Sequence, residues 1–294
     1  MAPTASADAR ERWHTDGWCV LEDVFTPHEV DTAVEAVEAL FPSAAEVAAG
    51  GVNEAAIAWG APKPTFPFDA GALNRLVVHE ALVDLAGELL GTDNLRCYQG
   101  MVSAKYSGLR EEYEQFLHVD YGNHTLVVPR DEPGYQHLEL FVYLSDVTEE
   151  TGATRMVPRG LTAGIPVERA YLGFEEYAHL YAAEVPATGK AGSVLAYRSD
   201  VYHRGTAFTV PGAARYLLVV GYRPAGAEWI GHHSWPVAGE SGAWHRFVSR
   251  ASVRQLTVLG FPEPGHPYWT AGTLAGVGAR YPGLDLGPWA AAAR

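Results

Sequence analysis

The sequence contains two copies of the pattern His-x-Asp, at His118-x-Asp120 and at His14-x-Asp16. In extended backbone, residues i and i+2 point to the same face of a strand, so the two side chains of such a pair can share a metal ion. The chain has 12 histidines in 294 residues, and pairs of this kind therefore arise readily by chance. The surroundings of each pair must decide which one carries chemistry.

The surroundings favour His118 and Asp120 as metal ligands. They lie at the edge of the strand-rich part of the sequence, and His203 follows another strand and a turn, which makes it the best candidate for a third ligand. Two histidines and one carboxylate leave coordination positions open, as in non-haem Fe(II) oxygenases, and the same donors also suit Zn²⁺. The pair at residues 14–16 reads as the end of a short N-terminal helix without further ligands nearby, and we expect it to be structural.

The sequence predicts helices in its first third and short strands from about residue 95 onward. Thr26 and Glu29 form the pattern of a capping box at the start of a helix over residues 26–41, and Gly91 fits the end of a second helix over residues 79–91. Residues 50–72 contain several Gly and Pro and predict a long loop. Strand-like runs cover residues 17–25, 95–106, 124–128, 137–147, 152–158, 192–197 and 215–223.

Many short strands without intervening helices indicate a mainly β fold with flanking helices, built as an antiparallel sandwich or barrel. We see no linker that would divide the chain and predict a single domain over residues 1–294. Its parts would be a helical N-terminal cover (1–94), a strand-rich core (95–225) and a C-terminal extension packed on that core (226–294).

The composition argues against some classes of function. A formal net charge of −14 at pH 7 makes nucleic acid and anionic membranes poor partners, because both are negatively charged. Cys19 and Cys97 are too few for a disulfide framework, and neither a secretion signal nor a membrane-spanning run is visible. We therefore expect a cytoplasmic protein that acts on a small molecule, and nothing in the sequence indicates its oligomeric state.

The order and spacing of His118-x-Asp120, His203 and Arg215 resemble those of the phytanoyl-CoA dioxygenase family. These proteins are Fe(II)- and 2-oxoglutarate-dependent oxygenases on a double-stranded β-helix, a jelly-roll fold like that of cupins. The resemblance covers roughly residues 10–225. Three further stretches carry it: DGWCVLEDVFTPHEV, TEETGATRMVPRG and AGSVLAYRSDVYHRGTAF.

The resemblance implies that the three predicted ligands hold Fe(II), with 2-oxoglutarate and O₂ as cosubstrates. It assigns the far carboxylate of 2-oxoglutarate to Arg215, a role that suits a planar and permanently charged guanidinium. It also implies supporting contacts to the cosubstrate from Thr206 and Gln99. Tyr121, Asn123 and His124 follow the metal motif, and we predict that they either line the substrate pocket or lie in a surface loop.

The sequence departs from the family pattern at one turn and agrees with it at the carboxylate that bears on the reaction. Thr151-Gly152 stands where relatives usually have Asn-Gly, and residues 158–161 replace a usual Pro-Gly-Ser-His, so the shape of this turn is uncertain from sequence. Halogenating relatives lack a carboxylate at the position of Asp120, so its presence argues against halogenation. Hydroxylation is the expected reaction, while desaturation, epimerisation and ring closure stay open.

Two other functions remain alternatives at the level of sequence. One is a metal-dependent enzyme without oxygenase turnover, such as a Zn²⁺ hydrolase or isomerase, and the other is a metabolite-binding protein on the same jelly roll. Arg215 favours the oxygenase, because a hydrolase has no use for a 2-oxoglutarate anchor. The net charge of −14 also gives reason to doubt a polyanionic CoA ester as the substrate.

Overall fold

Ten strands form two antiparallel sheets in the described part of this computed structural model, which covers residues 6–58, 61–109, 114–120, 122–127, 132–166 and 169–293. The strands are β1 (Trp18–Leu21), β2 (Leu95–Tyr106), β3 (Leu117–His118), β4 (Leu138–Tyr143), β5 (Arg155–Met156), β6 (Tyr171–Leu172), β7 (Val185–Pro186), β8 (Val194–Arg198), β9 (His203–Arg204) and β10 (Ala214–Pro224). The larger sheet has the order β1-β8-β4-β10-β2, and the smaller sheet has the order β6-β3-β9-β5-β7. This arrangement confirms the predicted mainly β, jelly-roll core.

Strand β4 shows how the larger sheet separates its two faces. Leu138, Leu140 and Val142 are buried in the apolar core that the sheet shares with the helices. Glu139 and Phe141 alternate with them and therefore point the other way, into a pocket between the two sheets. A polar residue on this strand consequently faces the interior of the barrel and not the solvent.

Helices from both ends of the chain pack on the outer face of the larger sheet. The helices are α1 (Ala7–Asp16), α2 (Pro27–Glu38), α3 (Ala44–Ala48), α4 (Glu54–Ile57), α5 (Gly71–Val77), α6 (Glu80–Leu90), α7 (Ala178–Ala183), α8 (Gly242–Val248), α9 (Val253–Val258), α10 (Ala271–Arg280) and α11 (Gly287–Ala292). Leu82 of α6, Trp244 of α8 and Trp289 of α11 belong to the same buried cluster as the larger sheet, whereas Leu180 of α7 packs with the smaller sheet. None of the helices in the described ranges combines the length and hydropathy needed to cross a bilayer.

The two predicted helix boundaries follow from local chemistry. The Thr26 hydroxyl accepts from the Glu29 amide at 3.3 Å, and the Glu29 carboxylate accepts from the Thr26 amide at 2.9 Å, so the predicted capping box starts α2. Helix α6 ends at Gly91, whose φ of 68° is left-handed. His14 and Asp16 lie at the end of α1, as predicted for the structural copy of His-x-Asp.

Two predicted segments differ in the structure. Residues 50–72 are not one loop, because Asn53 caps the short helix α4 and α5 starts at Gly71. The predicted strand over residues 124–128 is reduced to a single bridge between Thr125 and Ile230, and residue 128 lies outside the described residues. Its apolar run is exposed, with Leu126 at 87 %, so these side chains gain no burial that would stabilise a longer strand.

Candidate active site

The smaller sheet brings the two distant histidines of the predicted triad face to face. His118 on β3 pairs directly with His203 on β9, and their ring centroids are 4.5 Å apart. The carboxylate of Asp120 lies beside both, with Oδ1 at 3.7 Å from Nε2 of His118 and Oδ2 at 3.3 Å from Nε2 of His203. One potential ligand atom from each residue lies within 4.8 Å of the other two, a spacing that one metal ion can bridge.

Hydrogen bonds fix which nitrogen of each histidine is free to bind a metal. Nδ1 of His118 lies 2.9 Å from the carbonyl of Phe116, and Nδ1 of His203 lies 3.1 Å from the carbonyl of Val201. A carbonyl only accepts, so each Nδ1 carries a proton and each Nε2 is the nitrogen directed at Asp120, where a bound cation would take the place of any proton on it. Such outer hydrogen bonds are the usual way to orient a metal-binding imidazole. The donor set therefore fits a divalent cation such as Fe(II).

The electrostatics of the triad keep Asp120 ionised, and although burial opposes the effect, that carboxylate raises the pKa of His203. Burial alone would raise the pKa of Asp120, but the neighbouring imidazoles, His203 above all, hold it well below its usual range. Burial lowers the pKa of His118, and the charge on His203 lowers it further. Tyr197 donates its hydroxyl to Oδ2 of Asp120 at 2.7 Å and so orients the carboxylate. An ionised carboxylate and a neutral imidazole are the forms that bind a metal.

Two buried cations form another wall of the same pocket. Arg215 at the start of β10 pairs with Lys105 on β2, and their residues are only 2 % and 5 % exposed. Both side chains line the pocket that also contains the triad. Burial, and then the charge of Arg215, hold the pKa of Lys105 well below its usual range. Two adjacent basic side chains in a buried pocket suit an anionic ligand, because such a ligand offsets their mutual repulsion and favours the charged form of Lys105.

The turn before β5 takes a regular shape although its sequence departs from the family pattern. The hydroxyl of Thr151 accepts from the amide of Thr148 at 2.8 Å, which closes the turn with a side chain. Gly152 follows with a φ of 68°, and its carbonyl accepts from the guanidinium of Arg215. The turn therefore supports the cationic wall of the pocket.

The other predicted cosubstrate residues lie in different environments. Gln99 lines the pocket, and its Oε1 has no hydrogen-bond partner among the described residues, so it is positioned to accept from a ligand. Thr206 donates its hydroxyl to the carbonyl of Ala153 at 2.9 Å, and its neighbour Gly205 lines the pocket in its place. Thr206 is thus engaged in holding two loops together.

The predicted substrate residues are partly within the described chain. Asn123 and His124 both line the pocket, whereas Tyr121 lies outside the described residues. His124 is buried and Asn123 is exposed, so the two occupy the inner and outer parts of this wall. His232, from the C-terminal segment, also lines the pocket and contacts His124 at a ring separation of 5.0 Å.

Several pocket residues were not singled out as site residues from the sequence. Lys105, Glu139 and Tyr197 carry no functional prediction from the sequence, yet all three line the pocket. The available signal was strand alternation. It places Lys105 on the same face of its strand as Gln99, and it places Glu139 on the face opposite to that of Leu138. Alternation does not reveal which face is enclosed, so the signal was incomplete.

These features together define a class: jelly-roll proteins with a facial His-Asp-His set and an adjacent cationic pocket. The sequence model of the phytanoyl-CoA dioxygenase (PhyH) family matches residues 13–215, and the chain belongs to this family. Members are Fe(II)- and 2-oxoglutarate-dependent oxygenases that use O₂, so the chain is an enzyme of that kind. No curated protein matches the sequence.

Solved structures show the same fold at low sequence identity. HygX from Streptomyces hygroscopicus, with nickel and 2-oxoglutarate bound, is 19% identical with a TM-score of 0.56, covering 76% of this chain and 89% of that one. EctD from S. alaskensis with bound Fe is 23% identical with a TM-score of 0.57, covering 79% and 82%. The epimerase SnoN is 18% identical with a TM-score of 0.51, covering 74% and 83%.

Proposed function

We propose that this enzyme hydroxylates a small-molecule metabolite, with 2-oxoglutarate converted to succinate and CO₂. The observation that carries the proposal is the presence of two complementary elements in one pocket. The oriented set of His118, Asp120 and His203 suits Fe(II), and the buried pair of Arg215 and Lys105 suits a dicarboxylate. A hydrolase would need the first element and would have no use for the second.

Each residue has a distinct proposed role. The Nε2 atoms of His118 and His203 and a carboxylate oxygen of Asp120 would hold Fe(II), a donor set that leaves coordination positions open for the cosubstrates. Arg215 binds the far carboxylate of 2-oxoglutarate, and Lys105 adds a second positive charge next to it. Gln99 lies on the same strand as Lys105, and its side-chain amide would hydrogen-bond the cosubstrate.

Bound Fe(II) would supply the redox chemistry that couples O₂ and 2-oxoglutarate to oxidation of the substrate. The protein contributes positioning and exclusion of water. The carbonyls of Phe116 and Val201 hold the imidazoles in one tautomer, and Tyr197 holds the carboxylate. Because these groups are already ordered, the site loses little conformational freedom when it binds its ligands.

Similar structures support a small-molecule substrate. One structure of HygX contains hygromycin B together with nickel and 2-oxoglutarate, and one of SnoN contains nogalamycin RO with Fe³⁺ and alpha ketoglutarate. Both ligands are small molecules. The polar lining near the triad, including Asn123, His124 and Glu139, suits a substrate with hydrogen-bonding groups.

The cofactor roles are tested by adding Fe(II) and 2-oxoglutarate to the protein without oxygen. We expect a weak visible charge-transfer band in the wild type and its loss in His118→Ala and His203→Ala. Succinate should form when O₂ is admitted. A wild-type protein that gives neither the band nor succinate would overturn the proposal.

The reaction type is tested by mass spectrometry of the products. Candidate metabolites are first screened by the succinate release that they stimulate, and each product is then compared with its substrate. Hydroxylation adds one oxygen atom, desaturation and ring closure remove two hydrogens, and epimerisation leaves the mass unchanged. A product without added oxygen would contradict hydroxylation while leaving the cofactor assignment intact.

A further inference from the structure

A second group of potential metal ligands lies next to the triad. His124, His137 and Glu139 offer one donor atom each, and these atoms all lie within 4.8 Å of one another. All three residues are buried, at 5 %, 1 % and 1 % exposure. His137 immediately precedes β4 and Glu139 is the second residue of that strand, so their spacing of two places both side chains on the inner face.

Several polar atoms of this group have no partner among the described residues. Both ring nitrogens of His137 and Oε2 of Glu139 are inaccessible to solvent and make no hydrogen bond there. Leaving a buried polar atom unsatisfied costs about 1–3 kcal/mol each, so three such atoms in one cluster need a physical reason. A cation bound between them would supply it.

Ring packing holds the imidazole of His137 in a fixed orientation. Its nearest ring neighbours are His124, stacked at 5.4 Å, and Tyr98, edge-on at 5.7 Å. Packing therefore fixes the plane of the imidazole.

The spacing of the donors matches a small divalent cation. Nδ1 of His124 and Oε1 of Glu139 form an ion pair at 3.1 Å, which a cation bound between them would replace. Two ligands at the usual zinc distances on a tetrahedral ion lie roughly 3.4 Å apart, whereas Ca²⁺ takes more and longer oxygen contacts. Two imidazoles and one carboxylate also form a donor set that Zn²⁺ prefers. The hydroxyl of Tyr98 donates to Glu139, which is the outer hydrogen bond expected around a ligating carboxylate.

We propose that His124, His137 and Glu139 bind a second divalent cation of the Zn²⁺ class, distinct from the iron site. His124 and Glu139 line the pocket that contains the triad, so a cation held by them would be open to the same space. An oxygen or nitrogen atom of the substrate would bind that cation and be held next to the iron. Each site has its own carboxylate, Glu139 in one and Asp120 in the other, which offsets the repulsion between the two cations.

The stoichiometry of Zn²⁺ binding tests this site without any turnover. Chelator-stripped protein is dialysed against Zn²⁺, and bound metal is measured by mass spectrometry, since the triad also suits zinc. We expect two equivalents in the wild type, one in His118→Ala/His203→Ala, and none when His137→Gln is added to that pair. His245→Gln, a matched change of a part-buried histidine in α8, should keep both equivalents.

Two variants separate metal binding from effects on folding. His137→Gln alone should bind one equivalent and keep the wild-type circular dichroism spectrum. Tyr98→Phe should weaken the affinity of the second site by about 10-fold to 100-fold and leave the first unchanged. A His118→Ala/His203→Ala protein without zinc, or a His137→Gln protein that binds as much zinc as the wild type, would overturn the second site. The iron proposal would stand in either case, because it rests on the charge-transfer band and succinate.

Discussion

At the scale of single residues, the site depends on hydrogen bonds that fix the orientation of its side chains. The backbone carbonyls that face Nδ1 of His118 and His203 force each Nε2 toward Asp120. At another wall of the pocket, Arg215 pairs with Lys105 and donates to the Gly152 carbonyl. A guanidinium held in this way presents a fixed fork to a carboxylate, which an ammonium cannot reproduce.

Replacing Arg215 by lysine keeps the charge and removes the bidentate geometry. We expect Arg215→Lys to raise the KM for 2-oxoglutarate by about 10-fold or more, since a hydrogen bond to a charged group contributes about 1.5–3 kcal/mol. Metal content should stay at the wild-type level, measured by mass spectrometry. Loss of metal together with 2-oxoglutarate affinity would mean that Arg215 supports the triad and not the cosubstrate.

The two cysteines give a second prediction at this scale. Burial raises the pKa of Cys19 to about 12 and that of Cys97 further still, so neither thiolate forms at neutral pH. We expect no reaction of the native protein with iodoacetamide at pH 8 and two labelled sites after denaturation, read by intact mass. Rapid labelling of the native protein would show that the core around β1 and β2 opens.

At the scale of elements, the turn before β5 supports the cosubstrate wall. Gly152 has a left-handed φ of 68°, and a Cβ added there would lie 2.5 Å from the carbonyl oxygen of Thr206 and 3.1 Å from that of Ala207. Neither backbone oxygen can move without shifting the loop after β9. The carbonyl of Gly152 also accepts from Arg215, so strain in the turn is expected to reach the pocket.

Gly152→Ala tests the role of this turn. A left-handed alanine costs about 1–2 kcal/mol, and the clash adds to it, so we expect a loss of more than about 2 kcal/mol in the free energy of unfolding. Affinity for 2-oxoglutarate should fall as well. Gly212→Ala is the matched control, because its φ is 66° but nothing lies within 4 Å of an added Cβ. Equal effects of the two changes would refute the steric argument.

At the scale of the whole molecule, the C-terminal segment is part of the core that supports the larger sheet. Trp244 of α8 packs edge-on against Phe66 at 6.0 Å and donates to the hydroxyl of Tyr281 at 3.1 Å. Trp235 donates to the carbonyl of Cys97 on β2 at 3.0 Å. These contacts join the segment after β10 to the strand that carries Gln99 and Lys105.

Trp244→Ala should therefore destabilise the entire protein. Removing a buried tryptophan costs about 3–5 kcal/mol, so we expect a clear shift of the urea midpoint in a single transition. Val237→Ala, in the same segment but 88 % exposed, should change stability by less than about 0.5 kcal/mol. A separate early transition in Trp244→Ala would instead indicate that the C-terminal segment unfolds on its own.

The sequence by itself determined the local elements and the order of the ligands. Strand β2 was predicted at its observed bounds, and the cap at Thr26 and the end at Gly91 were readable because each depends on a few neighbouring residues. The distances between His118, His203 and Arg215 along the chain indicated the family.

Only the tertiary structure decided which faces of the strands are enclosed. The alternation in β4 places Leu138 and Glu139 on opposite faces of the strand, but it does not show whether the polar face contacts solvent or lines an enclosed pocket. Because the smaller sheet closes over the polar face of the larger one, Lys105, His137 and Glu139 become buried residues of the site. Burial turns ordinary polar side chains into candidates for binding, since an enclosed charge or lone pair needs a partner.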